Sequence, residues 1–157
     1  MRRAVLPAFL AIALVAAALG GCASVPQADP QRDAEAKEFN SHPGSSTVYV
    51  FRNDFLGEPN TDDTVLYMDN RLIGGTLPGT FFRIDVRAGD HELHGIGYDQ
   101  GSLKINTRSG EVYFVALNVV NGVSLFRQVE PETAKRQIAR CCALMENWAP
   151  GQRPTLR

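Results

Sequence analysis

From residue 47 onward the apolar positions recur with a period of two, the spacing of strands rather than helices. In residues 47–53, Tyr49 and Phe51 fall on the face opposite Val48 and Val50, so this strand is expected to be buried on both sides. Residues 64–69 and 71–75 flank Asp69-Asn70, a turn pair that tolerates positive φ. Phe82, Ile84 and Val86 alternate with Arg83, Asp85 and Arg87, the mark of a half-buried strand. Ala88-Gly89-Asp90 turns the chain into residues 91–98, and Leu103 and Ile105 alternate with polar neighbours in the next strand. Ser109-Gly110 leads into residues 112–120, apolar on both faces and therefore central, and Asn121-Gly122 predicts a hairpin to residues 123–129. About eight short strands with regular turn punctuation predict a mainly β chain: a small antiparallel β-sandwich. Pro131 then opens a helix at its first position. Ala134, Ile138, Cys141, Cys142 and Met145 are expected to form its apolar stripe and cover part of the sheet.

Ahead of this region the chain has a different character. Arg2 and Arg3 precede an apolar run, residues 4–19, and small residues lead through Leu19-Gly20-Gly21 into Cys22. A run of about 16 falls short of the ~20 residues a spanning helix needs, and its basic start and small-residue end are those of an export signal. The pattern resembles the bacterial lipoprotein signal, in which the cysteine thiol receives a diacylglyceryl group, the chain is cut before it, and the new amino terminus is acylated. The resemblance implies a removed signal peptide, residues 1–21, and lipidation at Cys22 with fatty acids such as palmitate. Ala23 stands where an Asp would signal inner-membrane retention. The implied address is thus the outer membrane, with the domain facing the periplasm. Residues 22–46, with Pro26, Pro30, Pro43 and Gly44, are expected to be a lipidated tether reaching roughly 25–30 Å, with two helical turns within residues 33–39. The domain is expected over residues 47–147 and a flexible tail over residues 148–157.

Charge narrows the partners. The chain carries 16 Lys+Arg against 17 Asp+Glu, and loss of Arg2 and Arg3 with the leader moves the net from −1 to −3. No basic cluster invites nucleic acid or anionic lipid, so membrane attachment is expected through acyl chains on Cys22, of which two or more hold stably. Export also places the remaining cysteines, Cys141 and Cys142, in an oxidising compartment. Adjacent α-carbons stand about 3.8 Å apart, below the ~4.4–6.8 Å that disulfides prefer. A bond between the two is therefore expected to be unusual, and burial as small hydrophobes is the favoured reading. A redox or interchain crosslinking role is the alternative, with a soft-metal pair behind it.

Candidate chemistry is sparse. His91-Glu92-Leu93-His94 lacks the second histidine of a zinc-protease helix, since Gly95 occupies that position. On a strand the two imidazoles fall on opposite faces, so His91 reads as a turn cap and His94 as a surface residue. The glycines between Gly95 and Gly101 precede a strand-like segment rather than the helix a phosphate loop needs. No serine sits in a Gly-x-Ser-x-Gly elbow. Glu58, Asp62 and Asp63 form a loop carboxylate cluster expected to be merely solvated. Phe55 and Leu56, apolar in a Gly- and Pro-bearing loop, are the candidate partner contact. No catalytic residue, metal site or cofactor is expected.

Five segments carry a wider resemblance: Ala34 to Phe39, Val48 to Asn53, Leu66 to Gly74, Val86 to Leu93, and Ser109 to Val115. They are similar to a domain of unknown function of bacterial lipoproteins (domain of unknown function 2846), itself distantly similar to small β-sandwich domains with a Pro-Glu-Gly-Ala signature. The chain departs from it at Ala88, where the family has Pro, and at Asn70, where it has Gly. The resemblance implies a fold and no activity. The expected role is a non-enzymatic binding or scaffolding lipoprotein whose partner is another envelope protein or a glycan. The alternatives are a carrier of a lipid or glycan ligand, and a hydrolase using His91 or a loop carboxylate.

Overall fold

The computed structural model describes residues 27–53, 64–95, 101–120 and 122–147. The architecture follows from β1 (Ser46–Arg52), which is buried along its whole length. Its alternation sends Val48 and Val50 to one face and Tyr49 and Phe51 to the other, and each face finds its own apolar layer. On one side β1 pairs antiparallel with β4 (Thr80–Val86), and on the other it runs parallel to β7 (Val112–Val120). The hairpin β7–β8 (Val123–Gln128) and the two-residue β9 (Ala143–Leu144) complete a five-stranded sheet in the order β8-β7-β1-β4-β9. The second sheet has the order β3-β2-β5-β6, from β2 (Thr64–Met68), β3 (Arg71–Thr76), β5 (Gly89–His94) and β6 (Ser102–Thr107).

The fold is thus a mainly β sandwich with a C-terminal helix, as the alternation predicts, with nine strands among the described residues where about eight are expected. It is mixed rather than wholly antiparallel, because β1–β7 and β4–β9 are parallel. Such partners need long crossovers: β2 to β6 lie between β1 and β7, and a helix precedes β9. Between the sheets lie Val48, Val50, Leu66, Met68, Phe82, Ile84, Leu93 and Leu117, all essentially inaccessible. The Asp69-Asn70 turn has both residues at positive φ, 52° and 60°, as expected of an Asp-Asn hairpin turn. Gly122, at φ 76°, supplies the left-handed position of the β7–β8 turn.

The outer face of the five-stranded sheet is covered by helices, so the strand read as half-buried is buried on both sides at its start, where Phe81 joins the outer layer. α2 (Pro131–Cys141) begins with Pro131, and its N-cap, Glu130, accepts bonds from the Glu132 and Thr133 amides at 3.1 and 2.9 Å. Those two bonds favour the charged form and hold the Glu130 carboxyl below its ordinary pKa. Ala134 and Ile138 face the sheet and Cys141 packs part-buried against the same layer, but the expected stripe stops there. Cys142 is the C-cap in extended conformation, and Met145 lies beyond the helix, packed between the sheets. The helical spacing fails because the next two residues join β4 as β9.

A larger correction concerns residues 27–46, expected to be tether. Most of this segment is part of the domain. α1 (Pro30–Ala36) is capped by Asp29, whose carboxylate accepts from the Gln31 and Arg32 amides at 3.0 Å each. The buried Tyr49 hydroxyl donates to the Ala36 carbonyl at 2.7 Å, and the Leu144 amide donates to Asp33 Oδ1 at 2.7 Å. The Phe39 ring meets Tyr49 and Phe114 edge-on, with centroids 5.3 and 5.7 Å away. Arg32 pairs with Glu146, and Gln27 forms a β-bridge to Met145. Proline content reads as linker, but Pro30 here starts a helix and Phe39 is an anchor.

Candidate functional site

One end of the sandwich concentrates the buried polar groups. Arg52 closes β1 at 5% exposure on the inner face, in register with Val48 and Val50. Its guanidinium donates through Nη1 to the Thr76 carbonyl at 3.1 Å and to Thr76 Oγ1 at 3.2 Å. Thr76 Oγ1 in turn donates to the Thr64 carbonyl at 3.1 Å, and the Thr64 and Ser124 hydroxyls lie 3.3 Å apart. A buried cation is costly unless hydrogen-bonded, and this network ties the β1, β2, β3 and β8 ends together. The sequence reading missed Arg52. The signal was present: period two places residue 52 on the face of Val48 and Val50.

The cysteine pair lies at the same end. Cys141 and Cys142 are joined as a vicinal disulfide, with α-carbons 3.7 Å apart. Both also pack with the outer core as the small-hydrophobe reading expects, Cys142 at 4% exposure, and the bond between them is added to that packing. Within a regular helix or strand consecutive side chains diverge. Here Cys141 is the last helical residue and Cys142 is extended, so the junction lets the two sulfurs meet. Cys142 Sγ lies 3.5 Å from the Arg52 carbonyl oxygen and Cys141 Sγ 3.5 Å from Asn53 Oδ1. In this form neither thiol is available for an interchain link or a metal.

The histidines do not converge. His91 shares the parity of buried Leu93, and His94 has the opposite parity, as a strand requires. His91 Nδ1 is 2.6 Å from Asp69 Oδ2 and its Nε2 is 2.7 Å from the Arg87 carbonyl oxygen, so it clamps two turns together. Asp69 Oδ1 meanwhile accepts from the Glu92 amide at 2.9 Å. His94 is half-buried rather than a surface residue, because its ring stacks on Tyr67 at 5.1 Å and 7° across the β2–β5 pair. Among the described residues no group of three or more His, Cys, Asp or Glu is placed to hold a metal ion. From Ser102 the chain runs as strand β6 rather than a helix, and Gly95 N–H donates to the Gly101 carbonyl at 3.4 Å.

Exposed apolar side chains gather elsewhere. Val120, Val123 and Leu125 are 39%, 37% and 50% exposed, and the register Val120↔Val123 and Asn118↔Leu125 puts them on one face of the β7–β8 hairpin. That is the helix-covered face, since Ala116 on it packs in the outer core while the hairpin tip runs past the cover. Leu72, 51% exposed, lies opposite Tyr67 on the outer face of the other sheet. Alternation alone does not separate these positions from their covered equivalents. The leader, Cys22, Phe55 and Leu56, Glu58, Asp62 and Asp63, and the tail from residue 148 lie outside the described residues.

No protein-family model and no solved structure matches the chain. An uncharacterized protein of Haemophilus influenzae is similar, 33% identical over 132 residues that cover 80% of this chain and 77% of that protein. The aligned length exceeds a lone strand-and-turn motif and takes in most of a sandwich of this size. The chain belongs to the same family as this Haemophilus influenzae protein.

Proposed function

We propose that this chain is an envelope lipoprotein, held at the outer membrane through acyl chains on Cys22, whose sandwich is a non-enzymatic binding or scaffolding module for another envelope component. The observation that carries the reading is the Leu19-Gly20-Gly21-Cys22 sequence after a basic start and apolar run. Two structural features support it. A folded domain begins within a few residues of the acylation position. The Cys141–Cys142 disulfide is chemistry that an exported protein's compartment permits. The apolar patch of Val120, Val123 and Leu125 is the contact surface favoured for the partner, because clustered exposed apolar groups mark interaction sites. The sandwich fold and the segments similar to domain of unknown function 2846 agree with this role without adding an activity.

The test is fractionation and crosslinking in cells. The wild-type chain is expected in the membrane fraction and Cys22→Ser in the soluble one; membrane retention of Cys22→Ser would refute the anchor. A defined crosslinked species should form with wild type and be lost in Leu125→Glu, with the fold intact by circular dichroism. Turnover of a substrate by the isolated domain, without any such species, would overturn the binding role.

A further inference from the structure

In the lipidated chain only Ala23, Ser24, Val25 and Pro26 separate Cys22 from Gln27. Gln27 is already fixed to the domain: it bridges Met145, and the next amide, of Ala28, donates to the Leu144 carbonyl at 2.9 Å. Arg32, Asp33, Ala36 and Phe39 then hold the following residues to Glu146, β9 and the outer core. Five steps of fully extended chain span at most about 18 Å, against the roughly 25–30 Å expected of a flexible tether over residues 22–46. The attachment point is also at one extreme of the sheet, since β9 is an edge strand and Gln27 lies beyond it. At about 4.8 Å per strand, the opposite edge, β8, is about 19 Å from β9.

We propose that the domain rides directly on the phospholipid headgroup layer with its β9 edge and the start of α1 against the lipid. This places the β8 edge, with Val123 and Leu125, on the side turned away. The inference rests on the lipid-anchor reading and specifies its geometry. Chain length, not electrostatics, produces the contact. Over residues 29–38 the acidic side chains Asp29, Asp33, Glu35 and Glu38 outnumber the basic Arg32 and Lys37. Both basic groups are engaged within the protein, Arg32 with Glu146 and Lys37 with Asp33 at 2.7 Å. Polybasic attraction to anionic lipid therefore does not drive the contact of this net acidic segment, and raising the salt should not weaken the orientation.

The experiment uses the full lipidated protein, isolated from membranes and placed in nanodiscs of phosphatidylethanolamine and phosphatidylglycerol containing a lipid with a paramagnetic headgroup. Intact mass first establishes the acyl groups. Amide signals of the non-proline residues in 27–33 and 143–146 are expected to broaden several-fold more than those of residues 122–127, at high salt no less than at low. A chain carrying no acyl groups would overturn both the anchor and this orientation. An acylated chain with uniform broadening, or broadening strongest at residues 122–127, would overturn the orientation alone. Insertion of a Gly/Ser segment of about 20 residues after Ala23 lengthens the free reach beyond 20 Å and should collapse the contrast. Persistence of the contrast in that variant would refute tether length as its cause.

Discussion

Replacement of Phe39 by Ala tests whether residues 27–39 belong to the domain or merely precede it. Phe39 is half-buried, and its ring touches Tyr49 and Phe114 edge-on at 5.3 and 5.7 Å. Truncating a fully buried Phe costs about 3–5 kcal/mol, and half burial reduces this to about 2 kcal/mol. Loss of two edge-on ring contacts adds about 0.5 kcal/mol or more. The backbone contributes little to the difference, because Phe39 sits at φ 55° and Ala at that φ is strained to a similar degree. The expected loss is therefore about 2–3 kcal/mol. Urea unfolding of the soluble Cys22→Ser chain should show it as a midpoint lowered by about 1–2 M, given slopes of about 1–3 kcal/mol per M. The transition should remain single, since Tyr49 and Phe114 are shared with the central strands. A loss under about 0.5 kcal/mol, the range of surface substitutions, would refute the packing argument. So would a separate early transition confined to the N-terminal segment.

Other consequences follow from single contacts. Gly74→Ala should destabilise by about 1–3 kcal/mol in the same assay, because a Cβ there would lie 2.9 Å from two ring carbons of the buried Phe82. The fully buried Tyr49 hydroxyl has its pKa pushed up to about 12 from 10.0, chiefly by burial, with Arg83 opposing and Asp85 adding to the shift. A folded pKa above the unfolded one gives stability that is complete below pH 10.0 and lost as pH rises toward 12, about 3 kcal/mol in all. Tyrosinate absorbance near pH 11 should therefore lack the Tyr49 contribution until unfolding, and Tyr49→Phe should remove that late component. Reduction should add two hydrogens to the intact mass, one at each of Cys141 and Cys142. It should shift the melting temperature little, because a bond between neighbours closes almost no loop in the unfolded chain.

Strand residues were legible wherever one chemical period decided their place. Val48, Val50, Tyr49 and Phe51 announce a strand covered on both sides, and Asp69-Asn70 and Asn121-Gly122 announce their hairpins. What escaped the sequence depends on partners distant along the chain. Ala143-Leu144 is too short to show a period and becomes a strand only because the edge of β4 is free to pair. α1 is held by the Tyr49 hydroxyl on a backbone carbonyl and by the Leu144 amide on Asp33, contacts that leave no local pattern. Arg52 followed the period correctly, yet residue type argued against burial, and hydrogen bonds such as those to the Thr76 oxygens make it tenable. For the site, the Leu19-Gly20-Gly21-Cys22 motif on which the proposed anchor rests is contiguous and so visible in the sequence. The Val120, Val123 and Leu125 patch was not, because only the limits of the helix cover leave those positions open.

The central claim is that this sandwich works while held at a membrane by acyl chains on Cys22. Intact mass spectrometry of the protein extracted from its own membranes tests it most directly. The account predicts a chain beginning at Cys22 whose excess mass equals a diacylglyceryl group plus an amino-terminal acyl chain. Fragmentation should place all of that excess on the first residue. A chain that retains residues 1–21, or one that begins at Cys22 without lipid, would contradict it.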